Sequence, residues 1–98
     1  MDPTENTLPI NHDAAGRRFT TEVEGHGAEL DYRLDGTVMH ITHTGVPDAI
    51  GGRGIAAALM KAALAHAQAS GWTVVPACSY ANAYMTRHPE TRHLKHYQ

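Results

Sequence analysis

The stretch TVMHITHTGVPDAIGGRGIAAALMKAALAHAQASGWTVV (37–75) decides the fold of this chain. It begins with a β-branched and apolar run over 37–43, followed by a loop rich in Gly and Pro over 44–54. An alanine-rich run over 53–69 comes next, and a short apolar run over 72–75 closes the stretch. This order predicts a strand, a helix and a second strand. Because the connection is long and helical, we expect the two strands to lie parallel in one sheet.

The alanine-rich segment 53–69 is the strongest helix candidate. Eight of its seventeen residues are alanine, the residue with the highest helix propensity. Ile55, Leu59 and His66 share one side of a helical wheel with two alanines, and the opposite polar strip is narrow. We therefore expect a helix that packs closely against the sheet and ends at Gly71. His66, on the apolar side, is expected to be mostly buried and hydrogen-bonded.

Two alternating segments precede this unit. Over 19–24 and over 28–34, apolar residues alternate with polar ones, a pattern typical of strands with one solvated face. Asp35-Gly36 is a hairpin turn signal, so the second of these strands pairs antiparallel with the strand over 37–43. The fold class is therefore α/β (α+β with a mixed sheet): an antiparallel three-strand meander followed by a β-α-β crossover.

The two ends of the chain complete this organisation. Ser79 is expected to cap a short C-terminal helix that runs to about Arg87, and Pro89 stops it, because the residue before a proline avoids helical geometry. Residues 1–16 are rich in Pro, Asn and Asp and predict a flexible lead-in. Residues 17–98 then form a single domain.

Composition excludes several classes of protein. The chain has 98 residues, a formal net charge of -2 and one cysteine. It has no basic footprint for nucleic acid, no internal disulfide framework and no multi-cysteine zinc site. No window approaches the roughly 20 apolar residues that span a bilayer, and the first residues lack the pattern of a secretory signal. We expect a cytoplasmic protein without a membrane partner.

The glycine loop is the first candidate site. Gly51, Gly52, Arg53 and Gly54 lead straight into the predicted helix at Ile55. The first N–H groups of a helix have no partners within the helix and carry the positive end of its dipole. Glycines let a phosphate approach those groups, and an arginine adds charge. The pattern thus indicates a phosphate or pyrophosphate site, and a flexible loop that only turns the chain is the equally weighted alternative.

Cys78 is the second candidate. It follows the short buried strand and directly precedes the C-terminal helix, and a helix N-terminus stabilises a thiolate. That placement suits a nucleophile or a proton carrier. A free cysteine is also among the residues most often buried simply for packing, and position alone favours this inert role.

The histidines are the third candidate. His40 and His43 are three apart on a strand, so we expect them to point to opposite faces and not to chelate one ion. His93 and His96 could share a helical face, with His88 nearby, and hold a transition metal. A solvated polar end explains the same residues, so we predict no metal site. His43 differs from the others because it ends the strand that enters the glycine loop.

Several motifs in one order resemble the GCN5-related N-acetyltransferase (GNAT) superfamily, and within it a branch of very short proteins. They are ITHTGVP (41–47), GGRGIAAALMKAAL (51–64), VVPACSYANAY (74–84) and HPE (88–90), in a resembling stretch of about 19–94. The resemblance implies a short GNAT-like fold, a coenzyme A or acetyl-CoA cofactor, and transfer of acetyl to an amine acceptor. The acceptor itself is not identified by any motif.

The resemblance also implies site residues. The loop that holds the pyrophosphate in the superfamily corresponds here to Gly51, Gly52, Arg53, Gly54, Ile55 and Ala56, acting mostly through backbone N–H groups. The pantetheine arm of the cofactor would pair with the backbone of Thr44, Gly45 and Val46. The superfamily usually has Gln or Arg at the position of Ala49, so side-chain help is not expected there.

For catalysis, the resemblance points to three residues. Cys78 would serve as an acyl relay or a proton carrier, Tyr84 as the acid that protonates the departing thiolate, and His43 as a general base. The alternative function is a non-catalytic acyl-CoA-binding module, or a subunit of a larger complex.

Overall fold

A computed structural model describes residues 8–96 of the chain. The first residues of the predicted lead-in, 1–7, and residues 97–98 lie outside this described part. The elements in chain order are β1 (Asn11–Asp13), β2 (Arg18–Val23), β3 (His26–Asp35), β4 (Val38–Gly45), a 3-10 helix (Asp48–Ile50), α1 (Ile55–Ser70), β5 (Thr73–Pro76), α2 (Ser79–Arg87) and a second 3-10 helix (Pro89–Leu94). Among residues 8–96, no helix combines the length and the apolar character that crossing a membrane requires.

The sheet has five strands in the order β1-β2-β3-β4-β5. Consecutive strands from β1 to β4 pair antiparallel, and β4 pairs parallel with β5. The predicted meander and β-α-β crossover are therefore confirmed. The structure adds β1, which lies within the predicted lead-in and pairs Asn11 with Thr20. Three residues are too few to show an alternating pattern, so no local signal predicts this strand.

The hydrophobic core lies between the sheet and the helices. Leu30, Met39 and Ile41 of the sheet and Leu59 and Met60 of α1 are fully buried. Each such side chain contributes roughly 1.5–3 kcal/mol through burial. The same core cluster includes residues of α2 and of the second 3-10 helix, so the described helices cover one face of the sheet. No element within residues 8–96 covers the other face, which we call the open face.

α1 starts and stops at glycines. Gly54 precedes its first turn, and the N–H of Gly71 closes its end on the carbonyls of Ala67 and Gln68. His66 is half-buried, and its ring packs edge-on against His12 and Trp72. This agrees with the expectation that His66 is mostly buried, and the ring of His12 on β1, a strand that the sequence did not predict, supplies one of its neighbours.

A β-bulge in β4 changes which face its last residues occupy. His40 pairs with Arg33, whereas His43 pairs with Asp31, and the register shifts between these pairs. The extra residue is Thr42. Cross-strand partners point to the same face, and Asp31 and Arg33 lie two apart on β3. His40 and His43 therefore share the open face, and the expectation of opposite faces is wrong because the bulge breaks the alternation.

β4 runs further than its parallel neighbour. The ladder between β4 and β5 ends at the pair Ile41 and Pro76. The N–H groups of Ala77 and Cys78 then both donate to the carbonyl of Ile41, at 2.9 and 3.0 Å, as the chain turns away into α2. Residues 42–45 of β4 pair only with β3, so their other edge is open. We call this opening, bounded by residues 42–45 and by Cys78, the notch.

Candidate active site

The glycine loop lies between the first 3-10 helix and α1. Gly52 and Gly54 both have φ of +75°, in the left-handed region that favours glycine. A Cβ built on either residue would meet no atom within 4 Å. The space above the loop is therefore open, and the N–H groups of the first turn of α1 begin there. This geometry fits a phosphate group that approaches the backbone closely.

Arg53 is held beside this loop by an acidic residue from the turn between β2 and β3. Its Nη1 and Nη2 atoms donate to Oε2 and Oε1 of Glu24, at 2.8 and 3.1 Å. Glu24 and Gly25 form the two-residue turn between β2 and β3, with φ of 53° and 80°. The hydrogen bond and the charge of Arg53 lower the pKa of Glu24. The Arg53 guanidinium beside the loop is therefore already paired with the carboxylate of Glu24.

Cys78 lies at the inner side of the notch. Its Sγ lies 3.7 Å from Oγ1 of Thr44 and accepts the N–H of Ala81 at 3.4 Å. Cys78 is therefore the N-cap of α2, and the predicted cap Ser79 is wrong, because Ser79 is already the first helical residue. Thr44 pairs with the buried Leu30, which places its side chain on the helix-covered face.

His43 and Glu29 meet on the open face. Nε2 of His43 lies 2.9 Å from Oε2 of Glu29. The two side chains are 54% and 31% exposed, so a solute can reach them. An ideal Cβ on Gly45 would lie 2.9 Å from Nε2 of His43 and would collide with the Glu29 carboxylate. Glycine at position 45 therefore leaves the room that this pair occupies.

The other residues expected to bind the cofactor lie around the same edge. Ile55 is buried at 3% exposure, so only its backbone is available to a ligand. Val46 and Ala56 are half-buried, and Gly51 is exposed at the start of the loop. Ala49, where the superfamily usually has a longer polar residue, is also exposed. These placements agree with a site built from backbone groups.

Tyr84 lies apart from the notch. It is buried in α2, and its ring stacks on His88 with centroids 3.9 Å apart. Burial, with smaller contributions from Tyr80 and Glu90, raises the pKa of its phenol. It lines a groove of about 260 Å³ between α1 and the C-terminal segment. The helical rise places its backbone about 9 Å from that of Cys78.

The terminal histidines have separate partners. Nδ1 of His88 donates to the carbonyl of Tyr84 at 2.8 Å, and Nδ1 of His96 lies 3.0 Å from Oγ1 of Thr73. His93 is exposed beside the groove that Tyr84 lines. Over residues 8–96, no three His, Cys, Asp or Glu side chains lie close enough to hold a metal ion together.

Comparison with known proteins identifies the family. The model of the GCN5-related N-acetyl-transferase family matches residues 18–94. The chain belongs to this family. Protein NATD1 of Gallus gallus is 35% identical to this chain over 94 residues, covering 93% of this chain and 86% of its own length. Protein NATD1 of Homo sapiens is also 35% identical, covering 93% and 83%.

A solved structure supports the same assignment. The chain is similar to the NMR solution structure of a GCN5-like putative N-acetyltransferase from Staphylococcus aureus, with a TM-score of 0.74 and 28% identity. The likeness covers 93% of this chain and 90% of that one. The GNAT resemblance that the motifs indicated is therefore confirmed for both family and fold.

Two acidic residues of the site were not predicted from the sequence. Glu24 and Glu29 both belong to the wet face of an alternating pattern, where a carboxylate usually carries no function. The signal for Glu29 was present in part, since the hairpin after Asp35 brings β3 alongside β4. The bulge at Thr42 had to be known before His43 could be placed beside it.

Proposed function

We propose that this protein binds acetyl-CoA and transfers its acetyl group to an amine. The observation that carries the proposal is the continuity of the notch with the glycine loop. The open edge of β4 over 42–45, together with Val46 directly after it, offers backbone groups to an extended pantetheine arm, chiefly those of Thr44, Gly45 and Val46. The chain then leads through 46–50 to the loop and the start of α1, where a pyrophosphate fits.

The side chains around the notch can divide the proton transfers between them. Bound acetyl-CoA supplies the activated acetyl group, whose C–S bond breaks as a C–N bond forms to the amine. His43, on the open face, accepts the proton that the amine loses. Cys78, on the helix-covered side, lies where it can return a proton to the departing sulfur. Tyr84 is the alternative donor, but it lies apart from the notch, and burial raises the pKa of its phenol and so makes it a weaker acid.

Cys78 is also a candidate nucleophile, and experiment must distinguish this role from that of a proton donor. As a nucleophile its Sγ would take the acetyl group and then pass it to the amine, with the Thr44 hydroxyl and the Ala81 N–H holding the sulfur in place. Incubation with labelled acetyl-CoA followed by mass spectrometry detects an acetylated Cys78 if the relay operates. Transfer at the native rate by Cys78→Ser excludes the nucleophile role.

Calorimetry with acetyl-CoA and with coenzyme A tests the function. We expect a one-to-one complex at micromolar to millimolar dissociation constants. Absence of binding at millimolar ligand overturns the proposal. Binding without acetylation of any member of a broad panel of amines and peptides would instead support the alternative of an acyl-CoA-binding module, and would retain the cofactor site while excluding the transfer step.

A further inference from the structure

We propose that Glu29 is a positioning residue that fixes the orientation and the tautomer of His43 as the general base. The inference rests on the proposed acetyl transfer and adds to it a residue that does not itself contact the reacting atoms. Glu29 is the one acidic side chain for which the described structure gives a direct contact with His43. It reaches His43 from β3, a strand that carries no other candidate site residue.

The contact dictates where the proton of the neutral ring lies. An ionised carboxylate only accepts hydrogen bonds, so its partner nitrogen must carry the hydrogen. At 2.9 Å from Glu29 Oε2, the Nε2 atom of His43 is therefore the protonated nitrogen, and Nδ1 keeps the free lone pair. A histidine without such a partner exchanges between tautomers and ring orientations. The carboxylate thus selects the nitrogen that takes the proton from the amine.

Gly45 supports the same assignment independently. Its φ is not in the left-handed region, so its backbone conformation does not require glycine. A Cβ at this position would instead displace the ends of the Glu29 and His43 side chains from their observed contact. The pair therefore lies over the face of β4 at Gly45, one of the residues whose backbone is assigned to the pantetheine arm. This brings the base to the position where the thioester and the amine would meet.

The other charged side chains on this face do not compete with Glu29 as the partner of His43. Asp31 lies directly opposite His43 in the sheet register. Its carboxylate is bound by Arg18, whose Nε and Nη2 atoms donate at 2.5 and 3.2 Å. Asp31 is thereby neutralised by a guanidinium on β2. Arg33 and His40 lie further along the same face.

The experiment compares Glu29→Ala with Glu22→Ala. Glu22 is an exposed carboxylate on the same face, on β2, where it pairs in register with Gly27, away from His43. Two-dimensional nitrogen–proton NMR at pH 8 reports the tautomer of each neutral histidine. We expect His43 in the wild type to show the Nε2-protonated form, and Glu29→Ala to show a mixture. Glu22→Ala should match the wild type.

Kinetics provide the second readout. Glu29→Ala should lower kcat by roughly tenfold to a hundredfold, a fraction of what a general base contributes, and leave the calorimetric affinity for acetyl-CoA unchanged. Gly45→Ala should also give a mixture of His43 tautomers, because the added Cβ separates His43 from Glu29 although both residues are still present. An unchanged tautomer or an unchanged kcat in Glu29→Ala overturns the role of Glu29. Failure of the wild type to bind acetyl-CoA overturns the proposed function instead, and the NMR result then decides only whether the pair exists in solution.

Discussion

Replacing Gly54 by alanine separates cofactor binding from folding, because the chain contains a matched control. Gly54 and Gly71 flank α1, with φ and ψ of 75° and 17° and of 77° and 24°. In both, an added Cβ would meet no atom within 4 Å. Alanine at either position therefore suffers the same left-handed strain, about 1–2 kcal/mol, without a steric clash. Only Gly54 belongs to the glycine loop.

The two variants should thus unfold alike and bind differently. Each kcal/mol lowers the Tm of a domain of this size by about 4–8 °C, which thermal unfolding followed by circular dichroism measures. A Cβ on Gly54 would occupy the space assigned to the pyrophosphate and weaken a hydrogen bond from backbone N–H to a charged oxygen. Such bonds contribute about 1.5–3 kcal/mol. We therefore expect at least a tenfold weaker complex with coenzyme A for Gly54→Ala and none of this loss for Gly71→Ala.

Wild-type affinity for coenzyme A in both variants, at equal loss of Tm, would refute the placement of the pyrophosphate. A matching loss of affinity in both would show that strain in α1, and not the loop, controls binding. Acetyl-pantetheine, which lacks the pyrophosphate, sharpens the comparison. Its affinity should not distinguish Gly54→Ala from Gly71→Ala, because the arm is assigned to β4 and not to the loop.

Two further predictions concern charge. Glu24→Gln should tighten coenzyme A binding, because the neutral amide releases Arg53 to the phosphates. Calorimetry beside the control Glu22→Gln measures this effect, and weaker binding would show that Glu24 instead holds Arg53 in place. His12 has a pKa below its ordinary value of 6.5, through burial and through the nearby His66. The unfolded chain therefore binds a proton at His12 more readily than the folded protein does. The contribution of His12 to the free energy of unfolding is fully present above pH 6.5 and is lost as the pH drops below this value. The Tm of His12→Gln should fall less between pH 8 and pH 5 than that of the wild type, and an equal fall would contradict the argument.

Local patterns were sufficient to predict most of the elements. The run 37–43, the loop and the alanine-rich segment 53–69 each carry a period or a composition that neighbours within a few residues define. The C-terminal end of α1 could also be predicted, because Gly71 adopts the left-handed conformation that its position predicts. Cys78 and the glycine loop were then located by their places at the ends of these elements.

Pairing between distant strands could not be predicted in the same way. β1 is held by its contact with β2, where the ring of His12 stacks on Phe19 with centroids 4.1 Å apart, and nothing within its own three residues indicates a strand. The pair of Arg53 and Glu24 joins the glycine loop to the turn between β2 and β3, which are distant in the sequence. Such contacts depend on register and on turn geometry, which only the folded sheet defines.

The bulge at Thr42 shows how much chemistry one such non-local feature decides. If the pairing of β3 and β4 continued from the turn after Asp35 without the bulge, His43 would lie opposite Leu30 and its side chain would enter the core. Thr44 would then lie opposite Glu29 on the open face. The observed register reverses both. It brings the imidazole to the open face and leaves the Thr44 hydroxyl beside the thiol of Cys78, under the helices. An imidazole and a thiol therefore lie on opposite faces of the same strand end. Under the proposed transfer, an amine that approaches from the open face would meet His43 before it meets the sheet, because the described helices all cover the other side.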